Sequence, residues 1–201
     1  MASTECWPES SVKLRKRLPS LDDLLDSVKR LEGIRVNFIA NGNSQFVGAS
    51  GSSRDLSTPE DRAMLIRLRS VSDVIVTDAA TARREAYKPS KWAEIEVWSE
   101  SGNFQGVDPQ LKQKQISNLE ASVDFLSTSK LAVLLETGPT LTRKIAQLEA
   151  IDQLRLTVVG VANQGEAELT SMTVRRTLGL EYLGDTSVTE LSGNYFFTIE
   201  R

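Results

Sequence analysis

Leu134-Leu135-Glu136-Thr137-Gly138-Pro139-Thr140-Leu141 ends an apolar run on a carboxylate and opens a helix within one turn. Residues 130–135 read as a buried strand broken by Gly138-Pro139, and Leu141, Ile145 and Leu148 recur at helical spacing through residues 140–150. A strand entering a glycine turn and then a helix aims unpaired backbone N–H groups and the positive helix end at one point. That arrangement suits an anion such as a dinucleotide phosphate. The same pattern also describes an ordinary strand–turn–helix corner with glycine as punctuation, and the residues alone leave both readings open.

What the chain lacks narrows its chemistry further. It contains no histidine and a single cysteine, Cys6. A Ser-His-Asp triad, a Cys-His pair, a His-ligated zinc and a disulfide framework are therefore all excluded, and no metal site is expected. Carboxylates, lysines, tyrosines, hydroxyls and backbone N–H groups remain. Such an inventory fits a reaction whose hard step belongs to a bound cofactor, hydride transfer being one, because the protein then only binds, orients and polarises. No catalytic residue can be assigned from residue types alone.

The elements that would position this turn follow from periodicity. Residues 1–19 form a polar segment, with Lys13, Arg15, Lys16 and Arg17 crowded together, and read as a mobile tail ahead of a single domain at 20–201. Ser20 and Asp23 offer a capping box for an amphipathic helix on Leu21, Leu24, Leu25, Val28 and Leu31, stopped at Gly33. A strand at 34–40 leads into an Asn-, Gly- and Ser-rich loop at 41–53, which reads either as backbone open to a ligand or as a plain surface loop. Thr58 and Pro59 start a helix with Met64, Leu65 and Leu68 inward. Beyond it come a buried strand at 71–77, a short helix at 81–86, a strand at 93–98 and a helix at 109–127. After the turn, a strand at 155–161 and a hairpin of 189–191 with 195–199 complete the chain. Alternating strands and helices with a closing hairpin indicate an α/β fold, a mixed and mostly parallel sheet covered by helices.

Lys and Arg number 24 against 27 Asp and Glu, a net charge of −3, so there is no general basic field for nucleic acid. No apolar run approaches the ~18–20 residues of a membrane span, and the lone cysteine makes a reducing, cytoplasmic setting the expectation.

Residues 134–141 resemble the Glu-Gly-Gly-Pro-Thr-Leu signature of the reductase domain of bifunctional riboflavin-biosynthesis deaminase-reductases, which has a dihydrofolate-reductase-like fold. Further blocks agree in order: Arg35-Val36-Asn37-Phe38-Ile39-Ala40, residues 56–62, Asp73-Val74-Ile75-Val76 with Ala80-Thr81-Ala82-Arg83, and residues 151–157. The resemblance spans residues 34–201. It implies NADPH as cofactor, contacted by Ser57, Thr81, Glu85, Gly138, Pro139, Thr140 and Leu141. It further implies a phosphorylated aminopyrimidine substrate contacted by Ser53, Arg69 and Glu136, Arg69 meeting a sugar phosphate through its planar fork. A homodimer is implied as well, and Tyr195, Phe196 and Phe197 offer aromatic surface for it near a sheet edge, unless they are core.

Departures from the pattern are specific. Asn43 stands for the acid after the first strand, Asp55 for an aromatic, and Asp78 and Ala80 for glycines of the turn after the second strand. Asp78 puts a negative charge beside the expected phosphate. The stretch between Trp98 and Lys130 is also short and reads as lacking a strand. Two classes of function follow: a stand-alone reductase converting a ribosyl to a ribityl group by hydride delivery to a sugar C1 imine, or a non-catalytic member serving as a binding or interaction module.

Overall fold

The computed structural model of the protein describes residues 19–201. The expected mobile tail and its basic cluster lie, apart from Pro19, outside the described residues.

Eight strands form one sheet, and their residues explain which faces are covered. The strands are β1 (Gly33–Asn41), β2 (Val74–Asp78), β3 (Glu94–Ser99), β4 (Lys112–Gln115), β5 (Ala132–Leu135), β6 (Gln153–Val159), β7 (Asp185–Leu191) and β8 (Asn194–Glu200). Their spatial order is β4-β3-β2-β5-β1-β6-β8-β7, parallel throughout except for β8, which runs antiparallel to both β6 and β7. The helices are α1 (Leu21–Asp26), α2 (Pro59–Ser70), α3 (Ala79–Arg84), α4 (Leu119–Thr128), α5 (Pro139–Ala146) and α6 (Gln164–Leu178). One face of the sheet buries Ile34, Val36, Leu135, Leu154 and Phe197 under Val123, Ile145 and Val174 of α4, α5 and α6. The other buries Ile75, Ile95 and Leu134 under Leu24, Met64 and Ala82 of α1, α2 and α3. The mixed, mostly parallel α/β fold with a C-terminal antiparallel hairpin is thus as the sequence implies.

The connections create a crevice at β5. Helix α5, which follows β5, lies on one face, whereas α2 and α3, which follow β1 and β2, lie on the other. Both neighbours of β5 in the sheet therefore diverge from it, and the carboxyl ends of parallel strands at such a point are where open α/β sheets take ligands. Length sharpens the effect. β5 has four residues against nine in β1 and pairs with β1 only over Gly33 to Val36, while β6 follows β1 out to Asn41.

Several sequence expectations are corrected. Residues 109–127 are not one helix: Lys112–Gln115 is an edge strand paired with β3, and α4 begins at Leu119 on an Asn118 cap. A four-residue strand of alternating Lys and Gln has no apolar face to read, and its Lys112 instead pairs with Glu94 and Glu96. The middle of the chain thus does hold a strand. The first helix stops at Asp26, because Ser27 and Lys29 give carbonyls to the buried Arg155 and Arg35. Helix α5 ends at Ala146, so Leu148 is exposed. The final hairpin is longer than 189–191 and 195–199, and the edge strand is β7. Tyr195, Phe196 and Phe197 lie on β8, inside the sheet, and are core. Helix α6 has no counterpart in the sequence reading, since its buried Thr170 and Ser171 and exposed Leu169 and Met172 blur the period.

Candidate functional site

Two cavities meet around the end of β5. The smaller, about 440 Å³, lies between the ends of β2 and β5 and is lined by Asp78, Thr81, Trp98, Glu100, Thr140 and Lys144 among others. The larger, about 970 Å³, lies between β1 and β5 under α2, and includes Asn37, Ser57, Asp61, Arg69, Tyr87 and Glu136. Thr81, Arg84, Gly138 and Pro139 border both, so the pair forms a groove bent around the start of α5.

Every residue proposed from the sequence to contact cofactor or substrate lines one cavity or the other, yet the structure already gives most of them partners. Gly138 is the N-cap of α5, with an ordinary φ of −67°, so space and not backbone freedom is what a side chain there would disturb. Pro139 follows at the first helical position. No side chain caps this helix, whereas Ser20, Thr58, Asp78, Asn118 and Asn163 cap the other five. The first-turn N–H groups at Thr140 and Leu141 accordingly lack an intrahelical partner and border the smaller cavity. Buried Thr81 is tied by its hydroxyl to Asp78 at 2.9 Å.

Glu85 caps the carboxyl end of α3 and is buried. It accepts the Ser52 hydroxyl at 2.6 Å and the Ser53 N–H at 3.0 Å, which clamps the 48–55 loop beside the groove. Burial alone would raise its pKa, but these bonds outweigh it and hold the carboxyl below its usual range. Asp55 stitches the same loop by accepting the Ser50 N–H at 2.7 Å, and Asn43 sits exposed in the turn after β1.

Arg69 and Glu136 meet each other. The guanidinium Nε donates to Glu136 Oε1 at 2.7 Å, Nη2 donates to Oε2, and the Tyr87 hydroxyl also donates to Oε2. The guanidinium carbon lies 5.4 Å from the Tyr87 ring centroid, over its face. Burial opposes the charge on Arg69, yet the bonds and charge of Glu136 outweigh it and raise its pKa. Burial, reinforced by the Glu136 charge, pushes the Tyr87 hydroxyl well above its usual range. This fork is spent inside the protein. The nearer candidate for a substrate anion is exposed Arg62 on the cavity wall, which forms no ion pair among the described residues.

One residue of consequence is absent from the residues that the sequence singles out for the site. Asp61 is buried on α2 with its carboxyl in the larger cavity, accepting the Ser57 hydroxyl at 2.7 Å. Burial raises its pKa although bonds from Ser57 and Thr157 work against the shift. A signal was present: Asp61 lies three residues before Met64 and seven before Leu68, on the inward face of the helix. A buried carboxyl held toward its acid form, in a cleft, is suited to giving up a proton. Among the described residues no group of three or more His, Cys, Asp or Glu is placed to hold a metal, and no helix is long and apolar enough to cross a membrane.

No family profile and no curated protein matches this chain. Solved structures do. A pyrimidine reductase-like protein of Corynebacterium diphtheriae superposes with a TM-score of 0.59 at 18% identity, over 85% of this chain and 92% of that one. Dihydrofolate reductase of Enterococcus faecalis, in complex with NADP(H), gives 0.59 at 8% identity over 87% and 99%. The riboflavin biosynthesis reductase of Saccharomyces cerevisiae gives 0.56 at 10% identity over 86% and 91%. The fold is dihydrofolate-reductase-like.

Proposed function

We propose that this chain is an NADPH-dependent reductase whose substrate is a small phosphorylated aminopyrimidine, its ribosyl group being reduced to a ribityl group. The observation that carries this reading is the groove bent around β5, which joins an uncapped helix N-terminus to a cavity holding a buried acid. Its support from comparison is the shared fold with reductases, one of them an NADP(H) complex.

The donor set fits a dinucleotide. Thr140 and Leu141 present N–H groups at the positive end of α5, and Arg83, Arg84 and Lys144 line the same cavity. When bound, the nicotinamide ring supplies the hydride. Reduction of an open-chain imine needs a proton on nitrogen as well as a hydride on carbon, and that proton is assigned to the buried Asp61 carboxyl of the larger cavity. Ser57 and Thr157 orient the Asp61 carboxyl, while the Arg69–Glu136–Tyr87 cluster forms a rigid wall with little net charge. Arg62 is assigned the substrate phosphate.

Titration of protein fluorescence with NADPH and NADH tests the reading. Saturable NADPH binding in the micromolar range, about −8 kcal/mol, is expected, and no signal up to millimolar cofactor would overturn it. One observation favours the second reading, a non-catalytic binding module: Asp78 already occupies the Gly138 N–H. We also propose a homodimer in the cytoplasm. Its interface excludes the buried Tyr195, Phe196 and Phe197, and light scattering should return twice the 22.2 kDa chain mass.

A further inference from the structure

The smaller cavity holds a carboxylate where the turn offers its donors to an anion. Asp78 ends β2, caps α3 and reaches across to the start of α5. Its Oδ1 accepts the Thr81 N–H at 2.8 Å, and its Oδ2 accepts both the Thr81 hydroxyl at 2.9 Å and the Gly138 N–H at 2.6 Å. These are donors that a phosphate oxygen at this turn would use. All three are satisfied from within. No ion pair balances the Asp78 charge among the described residues.

We propose that Asp78 is an internal anion that sets how tightly this groove takes phosphate, so that neutralising it strengthens the binding of phosphate-bearing ligands. The proposal rests on the dinucleotide reading of the groove. Two effects act in the same direction. The Gly138 N–H and Thr81 hydroxyl are unavailable to a ligand, and a phosphate seated on the N–H groups of Thr140 and Leu141 lies beside a like charge in a partly desolvated cavity. A carboxylate that served only as the α3 cap would need the Thr81 N–H alone, and would have no reason to bond Gly138, sixty residues away.

The test uses the full chain and two variants, Asp78→Asn, which keeps shape and removes charge, and Asp78→Ser, which keeps a capping oxygen and vacates Gly138. Each is titrated with NADPH, ADP and adenosine, with a melting curve to establish folding. Both variants should bind NADPH and ADP roughly tenfold more tightly than the parent. Adenosine, which has no phosphate, should bind all three proteins alike. Binding of NADPH that emerges only in the variants supports the proposal and at the same time overturns the reductase reading of the parent chain. If the parent binds NADPH and the folded variants bind it no better, Asp78 is a cap alone and the reductase reading stands. If adenosine tightens in parallel, cavity shape and not charge is responsible, which also overturns the proposal. Absence of dinucleotide binding in all three folded proteins overturns the proposal and the cofactor reading together.

Discussion

Glu136 and Asp78 stand on opposite sides of the end of β5, and the protein treats these two carboxylates differently. On the β1 side, Glu136 is neutralised by the paired donors of Arg69 and closed off by Tyr87. On the β2 side, Asp78 is held by backbone and hydroxyl donors, which stabilise a carboxylate without cancelling its charge. The larger cavity consequently has a wall that is nearly neutral and rigid. The smaller one keeps a negative charge beside the uncapped start of α5, where the proposed cofactor phosphate would approach.

The largest effect expected from breaking this contrast lies in the larger cavity. Asp61→Asn should fold and bind cofactor but lose turnover by about 10²–10⁴-fold in single-turnover reduction, the usual contribution of a positioned acid. The parent rate should fall as pH rises through the Asp61 pKa, which burial raises above the ordinary 3.8, and the variant should lose that limb. Stability carries the same sign. Folded Asp61 holds its proton to higher pH than the unfolded chain does, so folding binds protons in that interval and stability falls as pH climbs through it. A flat difference between the denaturation curves of parent and variant from acid to neutral pH would remove Asp61 as the buried acid.

Arg69→Met comes next. It strands Glu136 as a buried, uncompensated charge, and urea denaturation should show a loss of about 3 kcal/mol. The double variant Arg69→Met/Glu136→Gln should recover more than half of that loss. Recovery of nothing would mean that the loss comes from Arg69's own packing, including its place over the Tyr87 ring, and not from a stranded Glu136 charge.

Smaller effects belong to the turn. A Cβ at Gly138 would lie 3.1 Å from the Thr81 hydroxyl and 3.3 Å from the Asp78 carboxylate, so Gly138→Val presses on the cluster that joins the two helix starts. A cost of about 1–3 kcal/mol in NADPH affinity is expected. Thr140→Val removes one exposed hydroxyl and keeps shape, for about 0.5–1.5 kcal/mol. Equal NADPH affinity in both variants and the parent would reduce residues 136–141 to a structural corner.

How much of this was legible in the chain follows from what each feature depends on. The strand–turn–helix at 132–146 was visible because apolar run, breaker and helical period are all local, and Thr58-Pro59 announced α2 for the same reason. β4 was not, because an exposed edge strand is specified by its neighbour and not by its own period. α6 was hidden by small polar residues that are buried without breaking the helix. Within the site, the sequence named Arg69, Glu136, Thr81 and Glu85 but could not show their partners, since the Arg69–Glu136 pair and the bonds from Ser52 and Ser53 to Glu85 each span more than thirty positions. The resemblance marks Asp78 as a departure from the family pattern. Only the folded geometry shows that its carboxylate reaches Gly138.

The brevity of β5 has a consequence for how a ligand is read. Gly33 donates its N–H toward β5, to the Leu131 carbonyl, and strand alternation turns the Asn37 carbonyl and both main-chain groups of Ile39 to the same side, beyond the last residue of β5. The middle of the sheet thus contains a short open edge inside the larger cavity. Its free donors and acceptors match those of a flat ring bearing an amide or amino group, which under the proposed function would dock there as though it were the missing continuation of β5. Information held in main-chain groups does not change when side chains do, so this part of recognition tolerates sequence drift. Amide exchange at Ile39, measured with and without a bound ligand, should register that docking as slowed exchange even in variants whose side chains have altered the rest of the pocket.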